Sequence, residues 1–244
     1  MPTATSKPAY EPLYVQVRNR LVQRIGSGQW APGDLIPNEF QLAREYNVSQ
    51  GTIRKALIAL EADRLIYRQQ GRGTYVAQHT SETSLFHFFR LVGPDDRRII
   101  PSSRVLSHAR VAATREMARR LNCLAGATLH AITRIRDMQG RPAIHERIYV
   151  PVAIMPSLKI PTGAVMIDEM YVIYQQSFGV TIAHASERLK AVAATNDQAR
   201  LLEVAPGAPL LEVTRIGRNV GGEPVELRIS RCRTDTLNYV TEIT

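Results

Sequence analysis

Residues 50–55, Gln-Gly-Thr-Ile-Arg-Lys, put amide, hydroxyl, guanidinium and ammonium groups beside a residue with no side chain. Such groups can read the edges of base pairs. Arginine fits guanine with two donors, glutamine fits adenine with a donor and an acceptor, and glycine permits close approach. Further along, Arg134 and Arg136 flank Ile135, so on a strand both guanidiniums leave the same face. Two arginines side by side present fixed paired donors, which suits an anion. Each group also has a plainer reading, as a solvated helix face or as structural ion pairs.

Other chemistries find no support. No metal-ligand spacing joins the six histidines, and no GxSxG, phosphate-loop or dinucleotide fingerprint occurs. Cys123 and Cys232 lack a CxxC pattern and read as buried, reduced thiols. The expectation is therefore no catalytic residue, no metal and no cofactor. The 244 residues, 44% of them hydrophobic, can form one large or two modest cores. No apolar run approaches the ~20 residues of a membrane span, and MPTATSKPAY lacks the apolar stretch of a secretory signal, so a cytoplasmic location is expected. The net charge of +9 favours a polyanionic partner. Residues 1–80 carry +4 of it, a higher density than the +5 over the remaining 164.

The elements that must position residues 50–55 follow from periodicity. Ile53, Ala56, Leu57 and Leu60 form one apolar helical stripe, with Ser49 as N-cap. An earlier helix runs from Glu11 to Gly26 on Tyr14, Val17, Leu21 and Ile25. The loop APGDLIP leads to a second helix, about 39–46, with Asn38 and Gln41 in capping-box positions. The turn between the second and third helices is about three residues, as a helix-turn-helix requires. Leu65–Tyr67 and TYVA then read as strands about a QQGRG turn, a β-hairpin wing.

The run PGDLIPNEFQLAREYNVSQGTIRKALIALEADRLIYRQQGRGTYV resembles the winged-helix domain of GntR-type bacterial transcription regulators. The resemblance implies that Gln50, Gly51, Thr52 and Arg54 face the major groove of double-stranded DNA, and that Arg72 and Gly73 in the wing approach the minor groove or backbone. Ser49 and the helix N-terminus could hold a phosphate, and Lys55 stands beside Arg54. Phe40 and Gln50 depart from the family, in which arginine is frequent at both positions.

Residues 78–97 read as a linker to about Ser84 and then a strand leading into the second domain, with Phe86, Phe88 and Phe89 around His87 as core. The second domain repeats itself. Residues 111–135 align without gaps on 192–216, with 13 of 25 positions identical. Each copy gives a short helix (Ala118, Leu121; Ala199, Leu202), a glycine turn (Gly126; Gly207), a strand, a second turn and a return strand. Two such copies predict an α+β domain with an antiparallel sheet, helices on one face and pseudo-two-fold character.

TRIRDMQGRPAIHERIYVP, DEMYVIYQQSFGVTIAHASERLKA and GGEPVELRISRCRTD resemble the UTRA effector domain of HutC-type GntR regulators, whose fold is similar to chorismate lyase. A tyrosine usual in that family is replaced by Leu237. The resemblance implies that Arg134 and Arg136 bind an anionic group of a small-molecule effector, a carboxylate or phosphate. Glu146 on the return strand could bind a hydroxyl or amine of that effector or merely neutralise the arginines, and Tyr171, Glu187, Glu226 and Ser230 match positions lining the family pocket. Arg231 and Arg233 read as structural ion-pair partners. Arg134 recurs as Arg215 in the second copy, whereas Arg136 becomes Gly217.

The expected protein is a homodimeric regulator in three parts. Residues 8–77 form the winged helix-turn-helix, 78–97 the connection, and 98–244 the effector-binding and dimerisation domain. It would bind a palindromic operator, as a repressor, and release it on binding its metabolite. A small-molecule enzyme with a DNA-binding attachment would instead turn its ligand over, and an effector-free architectural protein would show little sequence specificity.

Overall fold

The protein, described here as a computed structural model, is defined for residues 11–78, 88–166 and 170–241. It divides between Gln78 and His79 into two compact units.

In the first unit α1 (Leu13–Gly26), α2 (Glu39–Tyr46) and α3 (Gln50–Ala62) enclose a core of Val17, Leu21, Leu42, Ile53 and Leu60, all at most 2% exposed. The capping box is present: Asn38 Oδ1 accepts from Gln41 N at 2.9 Å, and Gln41 Oε1 accepts from Asn38 N at 3.0 Å. Asn47, in the left-handed region at φ 51°, ends α2, and Ser49 caps α3 two residues later. The wing pairs β2 (Ile66–Gln69) with β3 (Gly73–Val76). β1 (Leu35–Ile36) joins β3 as a third strand inside the segment expected to be loop. Two residues are too few to show an alternating pattern, so this strand carried no signal. Gly73 sits in this sheet at φ +122°, a backbone conformation that side chains rarely adopt.

The second unit is a seven-stranded antiparallel sheet in the order β8-β5-β6-β7-β11-β10-β9. Its long strands are β5 (Ser102–Ala112), β6 (Thr128–Met138), β7 (Arg141–Pro151), β9 (Ile182–Ala193), β10 (Pro209–Asn219) and β11 (Pro224–Arg233). β8 (Val165–Met166) is a short edge. β5-α4-β6-β7 and β9-α6-β10-β11 are the two copies of the repeat, with α4 (Arg115–Leu121) and α6 (Asn196–Leu202) as its helices. Equivalent residues repeat in conformation, whether or not they repeat in type. Thr114 and Thr195 cap the helices, and Asn122 and Glu203 end them at φ 50° and 53°. The halves meet where β7 pairs with β11. Glu146 lies opposite Ser230 and Arg228 opposite Ile148, so a pseudo-two-fold relation runs through the Arg147–Ile229 pair.

α4 and α6 cover one face, packing Ala118, Leu121, Ala199 and Leu202 onto Leu129, Leu227, Ile135 and Leu210. The expectation of helices on one face is corrected by α5 (Met170–Phe178). This helix packs Tyr171 and Tyr174 on the opposite face, with Ile132 and Ile148. It lies outside the repeat, so the internal alignment could not place it. A two-stranded ribbon of β4 (Leu91–Val92) and β12 (Asn238–Tyr239) adds to the unit. Phe88 and Phe89 pack against hydrophobic clusters, whereas Phe86 and His87 lie outside the described residues. Both cysteines are free thiols; Cys232 is buried, but Cys123 is half-buried.

Candidate functional site

The residues expected to meet DNA lie mostly on the front of α3 in the first unit. Gln50, Gly51, Arg54 and Lys55 are exposed on it, and Arg72 is exposed at the wing turn. Ser49 Oγ accepts from Thr52 N at 3.2 Å and lies 2.9 Å from Thr52 Oγ1, so the hydroxyls order the first turn. That turn carries no acidic residue, which leaves the positive end of the helix dipole open to an anion. Gly51 has no structural explanation inside the protein: the nearest atom to an added Cβ is Ser49 Oγ at 3.8 Å. A helical glycine costs about 1 kcal/mol relative to alanine, so its use fits a surface that something else approaches closely. Phe40 is 56% exposed and carries the Arg44 guanidinium 5.7 Å from its ring centroid.

The second site lies on the sheet face opposite α4 and α6. Strand alternation and register put Arg136, Glu146, Arg228, Ser230, Arg215 and Glu187 on this one face, across five strands. They line a narrow cleft of about 30 Å³, partly open to solvent, which Phe89, Arg90 and Tyr239 also line. Arg134, Tyr171 and Glu226 stand behind this lining, each at most 3% exposed. Four of the seven residues expected to bind an effector thus border the cleft, and three support it.

Three carboxylates organise the arginines. Glu146 accepts from Arg134 Nε at 2.6 Å and from Ser230 Oγ at 3.1 Å, with Arg228 Nη1 at 3.8 Å and Arg136 Nη1 at 3.9 Å. Burial alone would raise its pKa, but Arg134, Arg228 and Arg136 outweigh burial and hold it well below the usual carboxylate range. Glu226 accepts from Tyr171 at 3.0 Å, Tyr174 at 2.8 Å, and Arg228 Nε and Nη2 at 2.9 Å each. Burial, reinforced by Glu226, pushes the Tyr171 phenol up to about 12. Glu187 accepts from Arg215 Nε at 2.6 Å and also from Tyr239, while Arg215 donates to the Phe88 carbonyl. Arg136 lies 4.8 Å from the Phe89 ring centroid.

The repeat explains several of these pairs. Arg134 and Arg215 each bind a carboxylate through Nε, but Arg134 uses the inner strand β7 and Arg215 the outer strand β9. Gly217, where the first copy has Arg136, leaves room for α5, because an added Cβ would lie 3.2 Å from Tyr171 Oη. The missing arginine is thus tied to helix packing in the second copy. Arg228 went unremarked in the sequence, although it falls between Glu226 and Ser230 at strand spacing. Period-two reading of VELRIS could have found it. Arg231 pairs with Glu212 at 2.8 Å and Arg233 with Asp235 at 2.6 Å, the structural role expected of them.

Arg134, Arg136, Arg215 and Arg228 face Glu146, Glu187 and Glu226, leaving one positive charge in excess. Burying so many charges on a sheet face is costly compared with an apolar face, which favours a site over a scaffold. The chain matches the UTRA domain family over residues 96–238 and the bacterial regulatory proteins of the gntR family over residues 13–76. It belongs to the UTRA-containing GntR regulators.

The chain is similar to the HTH-type transcriptional repressor NagR of Bacillus subtilis, 28% identical over 94% of this chain and 93% of NagR. The Mannosyl-D-glycerate transport/metabolism system repressor MngR of Escherichia coli is 27% identical over 94% of this chain and 95% of MngR. Among solved structures, the ligand-binding domain of a protein assigned to the GntR family from Bordetella bronchiseptica superposes with a TM-score of 0.59 at 31% identity. The match covers 65% of this chain and 98% of that one. A UTRA-containing GntR regulator is a DNA-binding transcription regulator whose second domain takes an effector, and not an enzyme. No helix among the described residues is long and apolar enough to cross a membrane.

Proposed function

We propose that this chain is a homodimeric, cytoplasmic repressor whose palindromic operator is released when a hydroxylated anionic metabolite, a carboxylate or phosphate, fills the cleft. The carrying observation is the set of guanidiniums lining one cleft beside Glu146 and Ser230: Arg136 and Arg228 buried, Arg215 partly so. Guanidinium forks recognise carboxylate and phosphate, while Glu146 and the Ser230 hydroxyl suit hydroxyl groups. The name of MngR refers to mannosyl-D-glycerate, a hydroxyl-rich carboxylate, and that chemistry fits the same donors. Ser49, Gln50, Gly51, Thr52, Arg54 and Lys55 read or hold the DNA, with Arg72 and Gly73 at the wing. Symmetric half-sites would follow from a symmetric dimer. Release follows if the effector binds better to the dimer arrangement whose recognition helices no longer match the half-site spacing.

Selection from a random duplex library, followed by release assays with sugar phosphates and sugar carboxylates, tests the reading. An inverted repeat and release by one anionic class are expected. A selected site without symmetry, or release by neutral or cationic compounds alone, would overturn it.

A further inference from the structure

Arg54 is held from the side at the front of α3. Its Nε lies 3.0 Å and its Nη2 2.9 Å from Glu39 Oε2, and Nε is 3.3 Å from Oε1. Glu39 opens α2, and its side chain is 25% exposed against 60% for Arg54. The same carboxylate has Arg68 Nη2, on wing strand β2, at 3.9 Å, and Arg68 Nε is in turn 3.2 Å from Glu61 Oε2 on α3. The carboxylate that grips the arginine thus also has a wing guanidinium nearby.

A guanidinium has two edges that can each make a paired hydrogen bond: Nε with one Nη, and the two Nη groups end-on. Glu39 occupies the first. The second is the edge that pairs with the O6 and N7 acceptors of guanine. A long arginine released from this clamp could swing to a phosphate and bind any sequence.

We propose that Glu39 is a positioning residue that sets sequence specificity, holding Arg54 so that its end-on edge meets one guanine and not the backbone. The proposal rests on the reading that Arg54 contacts DNA. The carboxylate also repels phosphates, so it lowers affinity for non-specific DNA while it sharpens the choice of base. An ordinary surface ion pair would contribute little and would leave base choice unchanged.

The test uses the full chain, its library-selected duplex, the same duplex with each guanine replaced in turn, and a non-specific duplex. Glu39→Gln should cut discrimination at one guanine about tenfold, while binding to the non-specific duplex stays equal or tightens. Arg54→Ala should lose discrimination at the same guanine, and adding Glu39→Gln to it should change that discrimination no further. Full discrimination in Glu39→Gln while Arg54→Ala loses it would overturn the role of Glu39 alone. So would an equal loss on all duplexes with a lowered melting temperature, the mark of a merely structural residue. Full discrimination in Arg54→Ala would remove the base contact itself and the proposal with it.

Discussion

Glu146 and Arg228 occupy the same place in the two copies of the repeat, carry opposite charge, and approach each other at 3.8 Å across the pseudo-two-fold relation. Glu146 lies opposite Arg134 as Arg228 lies opposite Arg215. One duplicated position has become a carboxylate and the other a guanidinium, and the pair sits at the centre of the cleft face. Divergence between the copies thus supplied both signs of charge where a symmetric sheet would have placed like beside like.

Removing that carboxylate should be expensive. Glu146→Ala leaves Arg134, Arg136 and Arg228 buried without it, and urea unfolding should show a loss of roughly 3–5 kcal/mol. The folded-state pKa of Glu146 is depressed below its ordinary 4.5. Its contribution is therefore present above about pH 4.5 and is lost as pH falls below that value. Glu146→Gln should flatten this acid limb of the stability curve; an unchanged limb would show that other groups create it.

Arg136→Ala should weaken binding of an anionic effector by about 1.5–3 kcal/mol, roughly tenfold or more, through a lost charge-assisted hydrogen bond. Arg136→Lys keeps the charge but not the fork and should fall between. Operator binding without effector should stay near wild type, giving a repressor that no longer lets go. Calorimetry with the releasing compound checks this, and full-strength binding by a folded Arg136→Ala chain would refute it.

Gly51→Ala separates fold from DNA contact. Nothing in the protein crowds the new methyl group, and alanine is the better helix residue by about 1 kcal/mol. Thermal stability should hold or rise while operator affinity drops at least severalfold. Equal or tighter operator binding in a gel-shift titration would show that DNA does not approach this turn closely.

His145 should make the second domain acid-sensitive. It is 4% exposed, and no hydrogen-bond partner reaches its Nδ1 among the described residues. Burial, then the charges of Arg147 and Arg231, lower its pKa from 6.5 to about 4 against the pull of Glu146. Between those values the folded chain binds fewer protons than the unfolded chain, so stability rises with pH and is complete above 6.5. The difference is worth about 3 kcal/mol. Denaturant unfolding of His145→Gln between pH 4 and 7 should lose most of that slope.

Much of this protein was legible in its sequence because the deciding interactions are local. Asn38 with Gln41 and Ser49 with Thr52 bond within one helical turn, so α2 and α3 could be placed from residue types alone. The repeat was readable for the same reason, since Thr114 and Thr195 or Gly126 and Gly207 fix their own backbone. Alternation put Arg134 beside Arg136 on one strand face. The partners of those arginines were another matter. Whether Arg134 meets Glu146, Arg215 meets Glu187, or Glu226 collects Tyr171, Tyr174 and Arg228 depends on the register of β6, β7, β11, β10 and β9. Register is a property of the assembled sheet, fixed by packing on both faces and by residues as far as 84 positions apart, as for Glu146 and Ser230. The sequence by itself determined the helices, the strands and the charges they carry; which charges neutralise one another and which remain facing the cleft was decided only when the two halves of the sheet closed along β7 and β11.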